Sequence, residues 1–255
     1  MTSNPRRTFI LDFDGESPLR LDCELPAMAR SPLDILPAVF ALADAIHTRS
    51  AAALGRMGRT VSCGPGCPAC CNQLVPVSAW EALHLAAVIR SMEPPRRHRV
   101  VRRFARGVER LNDAGLLAAL ERGFRRHTLE PRVLAGLQRA YWNLRIPCPF
   151  LEANACSIHP HRPLACRAYM VTSAPARCAA LYGAEQSHEI VLHAADPAST
   201  LAAFSGVGIT RTRVLPLLLS LSAAPSLRPE PAPLPGDRMF ARFLDLMAAS
   251  FVRRV

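Results

Sequence analysis

Four thiols fall within nine residues in the run Cys63-Gly-Pro-Gly-Cys67-Pro-Ala-Cys70-Cys71. Glycine and proline between them let the backbone curl, so that several sulfurs can face one point. Thiolates bind zinc, iron and copper(I) well, so softness alone does not choose among these metals. A structural zinc takes four thiolate or imidazole ligands, and iron–sulfur clusters also favour closely spaced cysteines. The adjacent pair raises its own question. Neighbouring side chains on an extended backbone diverge, so Cys70 and Cys71 meet one metal awkwardly. Either one ligates and the other stays a neighbouring or reactive thiol, or the two serve two metals or two atoms of one cluster.

A second group follows about 80 residues on: Cys148-Pro-Phe-Leu, then Cys156-Ser-Ile-His159-Pro-His161-Arg162-Pro, then Cys166-Arg167, with Cys178 beyond. Together the groups offer eight cysteines. That set supplies one tetrahedral site with spare thiols, two zinc sites, or one iron–sulfur cluster. Arg162 and Arg167 are placed to offset thiolate charge. Cys23 reads differently, as an isolated buried thiol of the kind common in cores. For His159 and His161 a solvent-facing or structural role is favoured over ligation, and His188 and His193 are weaker still. The spacing Cys63-x3-Cys67-x2-Cys70 also matches the pattern by which radical S-adenosylmethionine enzymes hold an iron–sulfur cluster. Those enzymes need alternating strands and helices for a β/α barrel, a series this chain does not show.

The elements that must position these thiols are mostly helical. Thr8–Phe13 and Leu19–Cys23 alternate with period two around Asp14-Gly15-Glu16-Ser17-Pro18, the signature of a hairpin. Ser31-Pro32-Leu33-Asp34 opens a helix expected to reach about Leu54, with Gly55 and Gly58 at its exit. Ser78-Ala-Trp-Glu81 is a capping-box pattern opening a second helix over 79–92, ended by Pro94-Pro95. Residues 96–143 read as two or three arginine-rich helices, with Val100, Val101, Phe104, Val108 and Leu111, then Leu116, Leu117, Leu120 and Phe124, then Val133, Leu134, Leu137 and Tyr141 at helical spacing. The arginines between them read as solvent faces. Residues 144–183 lack periodicity and need something to organise them; a metal is the economical candidate. A short strand is expected at 189–193. A helical stretch is expected at 198–222, broken near Gly206–Gly208 and kinked at Pro216, then a proline-rich linker at 225–236. Asp237 is read as capping a last helix that carries Met239, Phe240, Phe243, Leu244, Met247 and Phe251.

Composition bounds the rest. A chain of 255 residues, half of them apolar, can build a proper core without covalent staples. All 31 basic residues are arginine, and the net charge is +11. Aromatic residues are few and do not interleave with the basic run, which argues against a nucleic-acid stacking platform. No apolar run approaches a membrane span, and early acidic residues argue against a secretory leader. The expected compartment is therefore the reducing cytoplasm, where closely spaced cysteines point to metal or redox chemistry and not to disulfides.

The cluster ending Cys67-x-x-Cys70-Cys71, a helix opening with Glu81, then Cys148-Pro-Phe-Leu, Cys156-Ser-Ile, Arg162-Pro and Cys166-Arg resembles the YkgJ-type cysteine-cluster proteins over about residues 58–180. The resemblance implies a zinc- or iron-chelating domain. By position it places the family cysteines on Cys63, Cys67, Cys70, Cys71, Cys148, Cys156 and Cys166, with Cys178 at a later, more variable one. The chain departs from the pattern in having His159 where many members have tyrosine, and three residues in the first gap instead of two. Because the family includes flagellin lysine N-methylases, the resemblance also implies an alternative, an S-adenosylmethionine-dependent protein lysine N-methylase using the cluster as cofactor. The expectation is a mainly α protein with an irregular cysteine-rich metal-binding core packed by helices and an N-terminal β-hairpin. Its divisions are 1–57 (hairpin and helix), 58–183 (cysteine-cluster domain) and 184–255 (C-terminal helices). Zinc or iron, or an iron–sulfur cluster, is the expected cofactor, and an unidentified protein is the expected partner.

Overall fold

The computed structural model describes residues 4–13, 17–126, 130–182, 188–204, 214–227, 233–250 and 252, the side chains of 124–126 excepted. Strands β1 (Arg6–Leu11) and β2 (Leu19–Glu24) precede helix α1 (Pro32–Arg56). A 3₁₀ turn (Ala69–Asn72) and β3 (Pro76–Ser78) lead into α2 (Ala79–Ser91), α3 (Pro94–Asp113), α4 (Leu117–Arg126) and α5 (Pro131–Asn143). A small hairpin, β4 (Leu151–Glu152) and β5 (Ala155–Cys156), precedes α6 (Leu164–Ala168), α7 (Pro175–Ala179) and α8 (Pro197–Ala203). Strand β6 (Val214–Pro216), α9 (Ser220–Ala223) and α10 (Gly236–Ser250) follow. The chain is mainly α, with only two-stranded sheets among the described residues.

Contacts group the chain into two compact units. One comprises residues 1–60, 191–212 and 228–255. In it β1 and β2 pair antiparallel from Arg6↔Glu24 to Leu11↔Leu19, so the expected N-terminal hairpin is present. Helix α1 starts as its sequence dictates. Ser31 and Asp34 form a reciprocal capping box, and Met57 and Gly58 (φ 70°) close the far end. Its apolar face packs against β2, α8 and α10. Met239, Phe240, Phe243, Leu244 and Met247 of α10 are buried, with Phe240 edge-on to Phe9 at 4.9 Å. Asp237 lies inside the first turn of α10, after the start at Gly236, and pairs with Arg7 at 3.2 Å. Cys23 is buried in β2, as its isolation predicts. The hairpin turn at 14–16, the break at 206–208 and Phe251 lie outside the described residues.

The other unit comprises residues 61–190 and 213–227 and holds all eight clustered cysteines. Its core is built from Val77, Leu85, Ile89, Phe104, Leu111 and Phe150, with Leu215 and Leu218 from the late segment. That late segment departs from the expected helix. Val214–Pro216 pairs antiparallel with Pro76–Ser78, so Pro216 sits opposite Pro76 at a strand end and kinks nothing. Proline tolerates such an edge position because no ladder amide is needed there. Pro94 and Pro95, expected to end α2, open α3 at its first turn, where their missing amides are not missed. Gly107 of α3 allows a close crossing: a Cβ there would lie 2.6 Å from Leu218 Cδ1. Val101, Val133 and Leu134, apolar by pattern, are exposed. The expected strand at 189–193 reduces to a single bridge, Val171↔Ile190.

Leu111 is fully buried in this core. Leu111→Ala is expected to lower unfolding free energy by about 2–5 kcal/mol through lost transfer energy and a residual cavity, read from the urea midpoint.

Candidate metal centre

The first four cysteines lie on a loop and a turn. Gly66 takes φ 83°, a conformation open to glycine, and Cys67 N donates to Gly64 O at 3.2 Å. Cys70 and Cys71 then sit on the 3₁₀ turn, closed by Cys71 N to Pro68 O (2.9 Å) and Gln73 N to Cys70 O (3.1 Å). The backbone here is therefore not extended. Successive residues of a 3₁₀ turn point roughly 120° apart, yet the two thiols hydrogen-bond. Cys71 donates to Cys70, which brings the Cys70 thiol down to about 7 and pushes Cys71 far up.

The second group is pinned to the first through backbone. Cys148 N donates to Cys71 O at 2.7 Å. Beyond it, Leu151 pairs with Cys156 in a hairpin whose turn residues, Ala153 (φ 48°) and Asn154 (φ 60°), are both left-handed. Two consecutive residues at positive φ are what a tight hairpin turn requires. This hairpin was not legible in a segment without periodicity. Two arginines of α3 hold it. Arg103 donates to Pro149 O, Leu151 O and Glu152 Oε1 (3.2–3.3 Å), and Arg96 donates to Ser157 O at 2.7 Å and pairs with Glu152 at 3.7 Å. Seven residues apart, they occupy one helix face. Both stay half-exposed, so the solvent face expected of the α3 arginines is here also the face that grips the hairpin. Their spacing was the available signal, but only the fold puts carbonyl groups opposite it.

Glu81 does more than cap α2. It is 3% exposed. Its Oε2 accepts from Ser78 N (2.8 Å) and Ser78 Oγ (2.7 Å), and its Oε1 accepts from Leu164 N at 2.7 Å. One carboxylate thus joins the starts of α2 and α6, and α6 carries Cys166. Burial raises its pKa, opposed by the bonds from Ser78 and Leu164 and by the Arg167 charge. Arg167 is 4% exposed and donates through Nε to Arg162 O at 3.0 Å and through Nη2 to Pro160 O. His84, which sequence reasoning did not single out, meets His161 ring to ring with nitrogens 3.2 Å apart. Burial, then the charges of His161 and Arg167, push His84 down to about 4. His159 is exposed. His188 lies tilted against Tyr169 with ring centroids 5.8 Å apart, and His193 bonds Ser50 within the other unit.

The eight thiols share one electrostatic neighbourhood. Cys63 feels Cys70 and Cys67, and Cys178 feels Cys63, Cys70 and Cys67. Cys71 feels Cys148 and Cys166 besides Cys70, while Cys166 feels Cys148, Cys70 and Cys156. Cys70 is common to both sets. Burial raises the pKa of Cys63, Cys156, Cys166 and Cys178, and pushes Cys148 up to about 12. The protein alone therefore keeps these thiols protonated, whereas a coordinated thiol loses its proton outright. Among the described residues no three His, Cys, Asp or Glu side chains are already arranged to hold a metal ion.

The donor set nonetheless fits a soft metal. It is all sulfur, and a buried hydrogen-bond donor beside it, Arg162 Nε, lacks the acceptor that a thiolate would provide. Arg162 lies near enough to Cys63, Cys70 and Cys156 to lower their pKa values.

A family model matches residues 62–189, half of the chain; it is CxxCxxCC, described as a "Putative zinc- or iron-chelating domain". No curated protein and no solved structure matches the chain.

Glu81→Gln keeps the volume but turns an NH₂ toward either Ser78 or Leu164. It is expected to cost about 1–3 kcal/mol for the acceptor lost, measured by denaturation. His84 predicts acid sensitivity. A depressed histidine contributes stability fully above about 6.5, and that contribution is lost as pH falls toward 4. The urea midpoint should therefore fall between pH 7 and pH 5, and fall less in His84→Gln.

Proposed function

We propose that this chain, which belongs to the CxxCxxCC family, binds zinc or iron through Cys63, Cys67, Cys70, Cys71, Cys148, Cys156, Cys166 and Cys178. The observation that carries the reading is the Cys148 N to Cys71 O bond of 2.7 Å. It draws two cysteine groups, far apart in sequence, onto adjoining backbone. The eight side chains named are all thiols, a donor type that suits tetrahedral zinc sites and iron–sulfur clusters alike. Arg162 offsets part of the anionic charge that thiolate ligation creates.

In this reading the bound metal cross-links the 61–68 loop, which has no fully buried residue, to the 146–164 segment, which is anchored in the core by Phe150, Ile158 and Leu164. Metal binding and folding of the 61–68 loop are therefore coupled. The cellular role in this reading is to retain the metal or hand it to a protein partner in a reducing compartment, where the thiols stay available. No described helix is long and apolar enough to cross a membrane.

The test is purification without air, followed by zinc, iron and sulfide analysis and thermal unfolding with and without chelator. The expected result is stoichiometric metal, with a lower melting temperature once it is removed. Brown protein with iron and sulfide identifies a cluster; colourless protein with zinc identifies thiolate sites. Metal-free native protein whose melting temperature is indifferent to chelator sinks the reading.

A further inference from the structure

We infer that the segment from Arg162 to Val171 is a hydrogen-bonding cradle for metal-bound thiolates, in which Arg162 Nε, Tyr169 Oη and Val171 N are positioning donors to sulfur and not ligands. This rests on the metal-binding reading above. It goes beyond that reading by naming residues that hold the charged sulfurs from outside.

One of the three bonds is already made: Val171 N donates to Cys63 Sγ at 3.4 Å. The other two donor atoms are buried and make no hydrogen bond among the described residues. A buried donor without an acceptor is costly and calls for an explanation. Both of these lie among sulfurs. Arg162 neighbours Cys63, Cys70 and Cys156, and Tyr169 neighbours Cys70 and Cys178. A protonated thiol is a weak acceptor. A thiolate accepts strongly, because the bond is then charge-assisted. Donors left short beside thiols are thus donors matched to thiolates. Burial pushes the Tyr169 phenol up to about 12, so its proton stays in place to be donated.

Main-chain bonds that do not involve sulfur aim the two side chains. Arg162 N donates to His159 O at 3.3 Å, and the Arg162 carbonyl accepts from Nε of buried Arg167 at 3.0 Å. Tyr169 closes α6, its N donating to Ala165 O at 3.1 Å. Gln73 supports the tyrosine from the opposite side of the sequence. Its Nε2 is a further buried donor without a partner, and it neighbours the Tyr169 hydroxyl. A phenol donates one hydrogen and accepts through its oxygen. Tyr169 can therefore give a bond to sulfur while its oxygen takes one from Gln73. Gln73 is itself placed by the cysteine turn, its N donating to Cys70 O at 3.1 Å. The cradle acts on charge: thiolates that outnumber the two positive charges of a divalent metal leave the centre anionic, and each donor offsets part of that excess. Partners of this kind around a metal's ligands are typically worth about 10–100-fold in affinity.

Zinc affinity is measured anaerobically by competition with a colorimetric chelator for the full native chain, Tyr169→Phe and Arg162→Met. Each variant removes a donor and keeps most of the side-chain volume. Zinc is expected to bind about 10–100-fold more weakly to each variant. The urea midpoints of the metal-free variants should equal or exceed the native value, because an unpartnered buried polar group has been removed. Cobalt(II) loaded in place of zinc gives a spectroscopic signature. Losing a hydrogen bond raises the energy of the sulfur lone pair, so the thiolate-to-cobalt charge-transfer bands should move to lower energy. A merely structural role does the reverse: the metal-free midpoint falls while affinity and bands stay at their native values. That pattern, or native affinity with unmoved bands in either variant, overturns the inference and leaves metal binding standing. A native chain that takes up no zinc, cobalt(II) or iron overturns the metal-binding reading and this inference with it.

Discussion

The hydrogen bond from Cys148 N to Cys71 O joins the ends of two segments that neither helix propensity nor apolar patterning would bring together. It sits between sulfurs, where a backbone amide and carbonyl would otherwise go unsatisfied in a half-buried setting. The surrounding architecture serves this junction. The 3₁₀ turn aims the Cys71 carbonyl, and the turn before Cys148 includes Arg145 at φ 48°, a strained value for a side chain with a Cβ. Such strain persists where the neighbouring packing over-determines it, here Ile146 and Phe150 in the core on either side of Cys148.

Polar side chains, not apolar area, position the second cysteine segment. Glu81 joins two helix starts from within the core, and Arg96 and Arg103 reach across to carbonyls of the β4–β5 hairpin. A buried carboxylate is expensive to desolvate and is tolerated here because three donors converge on it. Such contacts are directional. They set where Cys156 and Cys166 stand with a specificity that a greasy contact of equal size would not supply.

The thiols themselves are held at odds with the chemistry proposed for them. Burial keeps most of them protonated, and only Cys70, accepting a bond from Cys71, is brought down to about 7. A metal reverses that balance by displacing the protons, so binding and proton release are one event. A centre of this kind is stable when loaded and loosely specified when not, in keeping with thiols that gather around Cys70 without three of the described metal-ligating side chains standing ready around one point.

Much was legible from residues alone. Local rules, Ser31 with Asp34, Ser78 with Glu81, prolines at first turns, determined where helices begin, because capping is decided within four residues. The crowding of Cys63 to Cys71 determined the character of the centre, because spacing alone limits what such thiols can do. Tertiary structure decided what depends on partners remote in sequence. It turned Val214–Pro216 into a strand by offering Pro76–Ser78 to pair with, against the helical pattern of the late segment. It drew the β4–β5 hairpin out of an aperiodic stretch, set two half-exposed arginines of α3 against its carbonyl groups, and paired His84 with His161. Each outcome follows from groups brought opposite one another by folding, and chain-local periodicity carries no information about which groups those are.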